Sequence, residues 1–247
     1  MTFAYVFQWE IVSESAGALA HGLRLTLELS ALAFALSLVL GLAVAVARLA
    51  PFRPLNVLAY VYTQVFRALS LYIYVLFIYF GIAAIFGINF GPFAAGVVAL
   101  TLLNTAYMAE IYRAALLSIE PGQREAALAL GLPHSRSFAS VIFPQAFRTA
   151  LPSLVNQLVD IVKDSSVVAV IGLLDLMGTT IDLVNNRHAP FELYTATAVT
   201  YVALILVLSA LAALLERRLA RHVSGGSAGG RVARLPRRRF ADHPGGA

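Results

Sequence analysis

Five long stretches of the chain are predominantly apolar, and this pattern limits the folds that are open to it. Each stretch matches the roughly 20 apolar residues that a helix needs to cross a bilayer. A helix also satisfies its own backbone hydrogen bonds, as lipid surroundings demand. The sequence therefore predicts an all-α membrane protein with five transmembrane helices, at about residues 23–47, 57–80, 92–117, 150–173 and 193–215.

The composition favours a membrane protein independently. Hydrophobic residues make up 60% of the chain and charged residues 13%, whereas soluble domains carry about 25% charged residues. The formal charge of +5 does not indicate nucleic-acid binding, because the arginines lie between the spans and in the tail. The chain has no cysteine, which excludes disulfides and cysteine-based metal sites. We expect neither a metal nor a cofactor.

Three regions are expected along the chain. Residues 1–20 lack a basic start and carry two glutamates, so they do not resemble a cleavable signal peptide. With Phe7 and Trp9 they are typical of an extracytoplasmic interfacial segment. Residues 21–219 form the membrane domain, and residues 220–247 form a flexible basic tail that touches anionic lipid or has no role.

A charged segment, residues 118–148, separates the third and fourth spans. Pro121 suits the first position of a helix, and Gly131 suits a left-handed position after its last turn. The segment therefore predicts a helix of about three turns, too short and too charged to cross a bilayer. A second short helix is expected from near Ser135 towards Pro144.

The spacing within this segment resembles the signature of membrane subunits of ABC importers. It appears here as Glu125-Ala126-Ala127, Gly131 and Val141-Ile142-Phe143-Pro144. The neighbouring sequence resembles the polar amino-acid subfamily, whose substrates include histidine, glutamine, arginine, glutamate and opines. The resemblance implies a type I (MetI-like) permease fold and a helix that docks on a separate ATPase. The alternative is a surface helix without a partner. The coupling residues that the resemblance implies are Gln123, Glu125, Ala126, Ala127, Leu130, Gly131 and Leu132.

The basic residues predict an orientation, because cytoplasmic loops are enriched in Lys and Arg. Arginines occupy the segment after the first span, residues 118–148 and the tail, whereas Arg187 is the one arginine between spans on the opposite side. We expect the N-terminus outside, the C-terminus in the cytoplasm and the charged segment on the cytoplasmic face. Residues 81–91 and 175–192 are expected to form outer loops.

A polar stripe marks the fourth span. Asn156, Asp160 and Lys163 recur at helical spacing, and Gln157 flanks them. Charges inside a bilayer are costly, so the stripe either lines a solute path or joins helices. The family pattern K-D-T-S is matched by Lys163-Asp164-Ser165-Ser166, and the resemblance implies a midmembrane substrate site there.

Asp160 departs from the family pattern, which has a small polar residue at that position. It either neutralises Lys163 or faces the path as an acceptor for a cationic group while Lys163 pairs with Asp164 or with a neighbouring helix. We favour the acceptor role, which implies a solute with an ammonium, guanidinium or amidinium group.

Two further groups complete the expected substrate site. The family pattern N-x-x-Y-x-x-E is matched by Asn104, Tyr107 and Glu110, although Glu110 is also placed to pair with Arg113. Arg67 begins Arg67-Ala68-Leu69-Ser70-Leu71, where the family has R-G-T-P-L and an unwound helix. Gly and Pro, which would favour unwinding, are absent here. For Arg67 a structural role is preferred to a ligand role.

The expected function is a permease subunit for a polar amino acid or similar zwitterion. The chain lacks the G-x-x-x-x-G-K-[ST] phosphate loop, so it is not expected to hydrolyse ATP. The resemblance implies a bacterial inner-membrane complex with an ATPase dimer, an extracytoplasmic solute-binding protein and a second permease copy or paralogue. The alternatives are an ATP-independent secondary transporter or channel, although these usually show two related halves, and a purely structural subunit.

Overall fold

The computed structural model describes residues 7–224, and every regular element within them is helical. Most of the expected tail, residues 220–247, lies outside the described residues, as do residues 1–6. The helices are α1 (Trp9–Leu49), α2 (Arg53–Ala68), α3 (Leu71–Leu76), α4 (Ile82–Phe86), α5 (Pro92–Leu117), α6 (Pro121–Ala129), α7 (His134–Ser137), α8 (Phe143–Asp164), α9 (Leu176–Arg187) and α10 (Pro190–Ser224).

Within residues 7–224, three helices are long and apolar enough to cross a membrane by themselves: α1, α5 and α10. Two bent pairs also qualify when each is taken together. The segments on either side of the α2–α3 break bend by 104°, and those on either side of the α8–α9 break bend by 46°. If each bent pair is one span, the total is up to five, and the count of five spans stays a prediction.

The longest of these helices, α1, packs along α5 through a stripe of small residues. Gly41 lies so close to α5 that a Cβ atom added there would sit 2.7 Å from the Cβ of Met108. Ser37 donates a hydrogen bond to the carbonyl of Thr101 at 3.2 Å. Small side chains allow this approach of two backbones. From Trp9 onwards the expected interfacial segment is continuous with α1, and its location at the membrane surface stays a prediction.

The central helix is α5, whose bounds match the expected third span. Pro92 occupies its first turn, where a missing N–H costs little. Leu100, Asn104 and Met108, one turn apart, are fully buried. Because α1, α2, α3 and α8 all pack on α5, this helix supplies more of the described core than any other helix.

The second span is broken between α2 and α3, although neither Gly nor Pro is present. Leu69 and Ser70 have extended backbones. The Tyr74 hydroxyl donates to the carbonyl of Val65 at 2.9 Å, and the Phe66 and Tyr74 rings stack with centroids 5.1 Å apart. These contacts close the corner, so side-chain packing takes the place of the expected turn residues.

Two local expectations were wrong. The second short helix does not end towards Pro144, because α7 runs through a π-helical turn, Phe138–Ile142, directly into α8. Pro144 lies in the first turn of α8, where its missing N–H is tolerated. The segment 175–192 is not a plain loop either. It contains α9, whose first turn is capped by Asp175 accepting from the Gly178 N–H at 2.9 Å.

Candidate functional site

A cavity of about 470 Å³ opens between α2, α5 and α8. Arg67 stands on the last turn of α2, and the remaining lining residues come from α5, α8 and the residue after α5. The two charged side chains among them are Arg67 and Glu110. The cavity is lined by Arg67, Tyr107, Glu110, Ile111, Ala114, Ala115, Ser118, Thr149, Ala150, Ser153 and Gln157.

Arg67 and Tyr107 meet at one end of this cavity. The guanidinium carbon of Arg67 lies 5.2 Å from the centroid of the Tyr107 ring, a distance typical of a cation–π contact. Tyr107 is half-buried on α5, and Arg67 remains exposed. The structure therefore brings together two expected site residues that are 40 positions apart in the sequence.

Asn104 has a different position. It is fully buried, its amide nitrogen donates to the Leu100 carbonyl at 2.8 Å, and its side-chain oxygen accepts from Gln157 at 2.7 Å. Asn104 does not line the cavity; Gln157 does. The observed contact therefore joins α5 to α8, and a direct substrate contact for Asn104 stays a prediction.

Glu110 is held between two arginines. Arg113 donates to one carboxylate oxygen at 2.8 Å. Arg48, at the end of α1, lies 3.3 Å from the other oxygen in an ion pair without a hydrogen bond. Arg48 also donates to the Thr63 hydroxyl at 2.9 Å. The expected pairing with Arg113 is confirmed, and Arg48 is a partner that the sequence did not indicate.

The stripe on α8 faces away from the core of its own chain. Asn156 is exposed, and the side chains of Asp160 and Lys163 are 50% and 51% exposed. Lys163 pairs with Asp160, with Nζ and Oδ1 2.7 Å apart. Of the two alternatives, the observed pairing is the one in which Asp160 neutralises Lys163, because the two residues lie one turn apart on the same helix face. A substrate role for Asp160 stays a prediction.

The remaining expected residues of α8 follow the stripe into a 3₁₀ turn. Ser165 is buried and donates to the Val162 carbonyl at 2.8 Å, and Ser166 donates to the Lys163 carbonyl at 2.8 Å. Asp164 is partly buried. The hydroxyl groups of Ser165 and Ser166 thus bond to the backbone at the end of α8. A substrate role for Asp164 and the two serines stays a prediction.

The expected residues therefore fall into two groups. Arg67, Tyr107 and Glu110 meet at the cavity, whereas Asn156, Asp160 and Lys163 lie on the open face of α8. Sequence reasoning missed Thr149 and Ser153, and it did not select Gln157 as a site residue. The three recur every four residues, which places them on one helical face. A search for polar residues at this spacing could have found all three from the sequence.

The charged segment forms the expected short helix. The α6 helix runs from Pro121 to Ala129, and Gly131 has a φ of +79°. The N–H of Leu132 bonds to the Ala127 carbonyl at 3.2 Å, and the N–H of Gly131 bonds to the Leu128 carbonyl at 2.9 Å. This pair of hydrogen bonds is the Schellman motif. The expected left-handed conformation of Gly131 is confirmed.

One side of α6 contacts the chain and the other is open. Ala127 is buried, whereas Gln123, Glu125 and Ala126 are exposed. Leu130 is 82% exposed, the highest value among the large apolar side chains that the structure describes as exposed. The coupling residues therefore present a mixed polar and apolar surface.

Sequence comparisons identify related proteins. Residues 37–221 match the family described as binding-protein-dependent transport system inner membrane component. The arginine transport system permease protein ArtQ of Bacillus subtilis (strain 168) is 34% identical over 201 residues, covering 81% of this chain and 92% of the relative. The glutamine transport system permease protein GlnP of Escherichia coli (strain K12) is 37% identical over 214 residues, covering 86% and 98%.

A solved structure shares the fold. A crystal structure of an amino acid ABC transporter with histidines superposes with a TM-score of 0.81 at 34% sequence identity. The match covers 87% of this chain and 100% of that one. The expected class, an all-α permease fold of ABC importers, is therefore confirmed.

Proposed function

The chain belongs to the family of binding-protein-dependent transport system inner membrane components, and from this premise we propose how it moves its solute. It is a multi-pass membrane permease subunit of an amino-acid ABC importer and not an enzyme. In the proposal, the cavity between α2, α5 and α8 is part of the path of a polar amino acid or similar small zwitterion. A separate ATPase drives its passage.

The observation that carries this proposal is the cavity itself. Its volume of about 470 Å³ lies within the range of small-molecule sites, about 300–1,000 Å³. Its wall combines a guanidinium, a carboxylate, a phenol ring, an amide and hydroxyl groups with apolar residues. It also adjoins the broken second span, and irregular backbone at membrane depth is tolerated where it lines a cavity.

Coupling to the ATPase is assigned to α6. Its exposed residues, above all Glu125 and Leu130, form a surface suited to a groove on a partner. The Schellman motif at Gly131 fixes the direction in which the chain leaves this surface. ATP-driven closure of an ATPase dimer would draw two such helices together and open the path outward.

The remaining partners follow from the same proposal. A second permease copy or paralogue would complete the path, and the open face of α8 with Asp160 and Lys163 is available to it or to the solute. An extracytoplasmic solute-binding protein delivers the amino acid. The arginine distribution supports an orientation with α6 and the C-terminus in the cytoplasm and the N-terminus outside.

Uptake by the reconstituted importer tests the proposal. We expect accumulation of a labelled amino acid in proteoliposomes only with ATP, the ATPase subunit and the binding protein present. Gly131→Val should reduce uptake and substrate-stimulated ATPase activity, because a β-branched residue at this φ is strained by about 1 kcal/mol or more. Gly122→Val is the matched control, since a Cβ at Gly122 meets nothing within 4 Å and φ is not positive.

Glu125→Arg changes the open surface of α6 without changing its fold, and it should also weaken coupling. Normal ATPase stimulation in both Gly131→Val and Glu125→Arg would contradict the assignment of α6. Orientation is tested separately with Leu128→Cys, since no native cysteine competes for the label. Labelling of this position in intact cells by a membrane-impermeant reagent would overturn the topology.

A further inference from the structure

We infer that the cavity selects its solute by a carboxylate, that Arg67 receives this carboxylate, and that neutral and acidic amino acids are preferred to basic ones. The inference rests on the proposed function and names the substrate class of the same site. Three steps support it: the charge balance around the cavity, the setting of Arg67, and the groups on the opposite wall.

The charge balance around the cavity is positive. Glu110 is the one acid among the lining residues, and its carboxylate is already flanked by Arg48 and Arg113. Arg67 forms no ion pair with any residue that the structure describes. Arg48 and Arg113 do not line the cavity, but with Arg67 they make three guanidinium groups around a single carboxylate. Because charges act more strongly in surroundings of low dielectric constant, the cavity favours an anionic group and disfavours an additional cation.

Arg67 is suited to binding a carboxylate. Its guanidinium lies over the ring of Tyr107, and its N–H groups form no ion pair with any residue that the structure describes. A guanidinium presents these donors as a planar fork that matches both oxygens of a carboxylate. The aromatic contact also limits the orientations of a long side chain, so less freedom is lost when a solute binds.

The opposite wall supplies neutral acceptors for an ammonium group. The amide nitrogen of Gln157 donates to Asn104, which leaves its carbonyl oxygen as the acceptor. The hydroxyl groups of Thr149 and Ser153 line the same wall. A zwitterion thus finds one charged partner for its carboxylate and neutral partners for its ammonium group. A basic side chain finds no uncompensated acid, because Glu110 in the cavity wall is already paired with Arg48 and Arg113. Asp160 lies outside the cavity and pairs with Lys163.

The test uses the permease assembled with its ATPase, without nucleotide and without the binding protein, so that selection by the binding protein does not interfere. Calorimetry measures the affinities of L-glutamate, L-glutamine, L-arginine and the α-amide of L-glutamine, which lacks the carboxylate. We expect arginine to bind at least tenfold more weakly than glutamine. Arg67→Gln should weaken the binding of glutamine about tenfold and leave the affinity for the α-amide unchanged. Arg67→Lys should bind glutamine with an intermediate affinity.

Arg53→Gln is the matched control, because it removes an exposed arginine at the other end of α2; it should leave all four affinities unchanged. Arginine binding as tightly as glutamine, or no binding of any amino acid, would overturn the inference without any variant. So would an equal loss for glutamine and its α-amide in Arg67→Gln. If the complete importer takes up amino acids with ATP in these cases, the proposed function stands; absence of ATP-driven uptake would contradict that function itself.

Discussion

Two acid–base clusters lie on the neighbouring helices α5 and α8, and they differ in burial and in the number of partners. In the first, Glu110 is 18% exposed and contacts Arg48 and Arg113, of which Arg48 is 11% exposed. In the second, Asp160 and Lys163 form a single pair with both side chains about half exposed. In both clusters a carboxylate pairs with a basic side chain, but the two carboxylates differ in exposure and in the number of their partners.

This difference in environment determines what each cluster contributes. Arg48 also donates to Thr63, stacks over Tyr60 at 4.7 Å and accepts from the Asn56 amide through its carbonyl. It thereby ties α1 to α2 and α5. Removing one member of such a buried set leaves charges without compensation. The exposed pair on α8 keeps much of its contact with the surroundings, so Asp160 and Lys163 remain free to exchange partners.

The largest effect is expected for Glu110→Gln. The substitution keeps the size of the side chain but leaves two arginines without their anion, which should cost about 3 kcal/mol of unfolding free energy. Thermal unfolding of the detergent-solubilised subunit measures this change. Adding Arg113→Gln should restore part of the loss. A variant that melts with the wild-type protein would show that the buried cluster does not hold these helices together.

A smaller loss is expected for Asn104→Leu. This change removes the partner of the partly buried Gln157 amide, at a cost of about 1 kcal/mol. Asn156→Leu, on the exposed face of the same helix pair, is the matched control and should change the unfolding free energy little. Equal melting shifts for the two variants would remove the distinction between the buried and open faces of α8.

For Asp160→Asn we expect the free energy of unfolding to fall by less than about 1 kcal/mol, because an exposed ion pair contributes little to stability. Since the stripe is expected to line the solute path, the apparent KM for uptake should rise while expression and basal ATPase activity stay near normal. Loss of the assembled complex, partly restored by also changing Lys163 to Met, would instead assign the pair to helix contacts. Unchanged uptake kinetics would exclude a substrate role for Asp160.

The smallest effect is expected for Arg24→Gln. Arg24 donates to Glu28 at 2.7 Å, but this pair on α1 is more exposed than either cluster. Loss of the pair should leave both the melting temperature and uptake unchanged within error. A clear destabilisation would show that the exposed fraction of an ion pair does not predict how much the pair contributes to stability.

Local sequence was sufficient for several features. The bounds of α5, the short helix α6 and the left-handed Gly131 depend on residues within a few positions of each other, because proline, glycine and apolar runs act on their own backbone. The apolar stretches likewise indicated the membrane class, since their length alone matches a bilayer.

Only the tertiary structure decided which polar groups meet. Arg48 reaches Glu110 across 62 positions, and Gln157 reaches Asn104 across 53. The break after α2 likewise depends on the stacked rings of Phe66 and Tyr74 and on the hydrogen bond that Tyr74 donates to the Val65 carbonyl, rather than on Gly or Pro. Such pairings depend on how helices pack, because a helix face alone does not specify which neighbour will cover it. The sequence thus determined where the charges lie along the chain, and packing determined which were buried, paired or left facing the cavity.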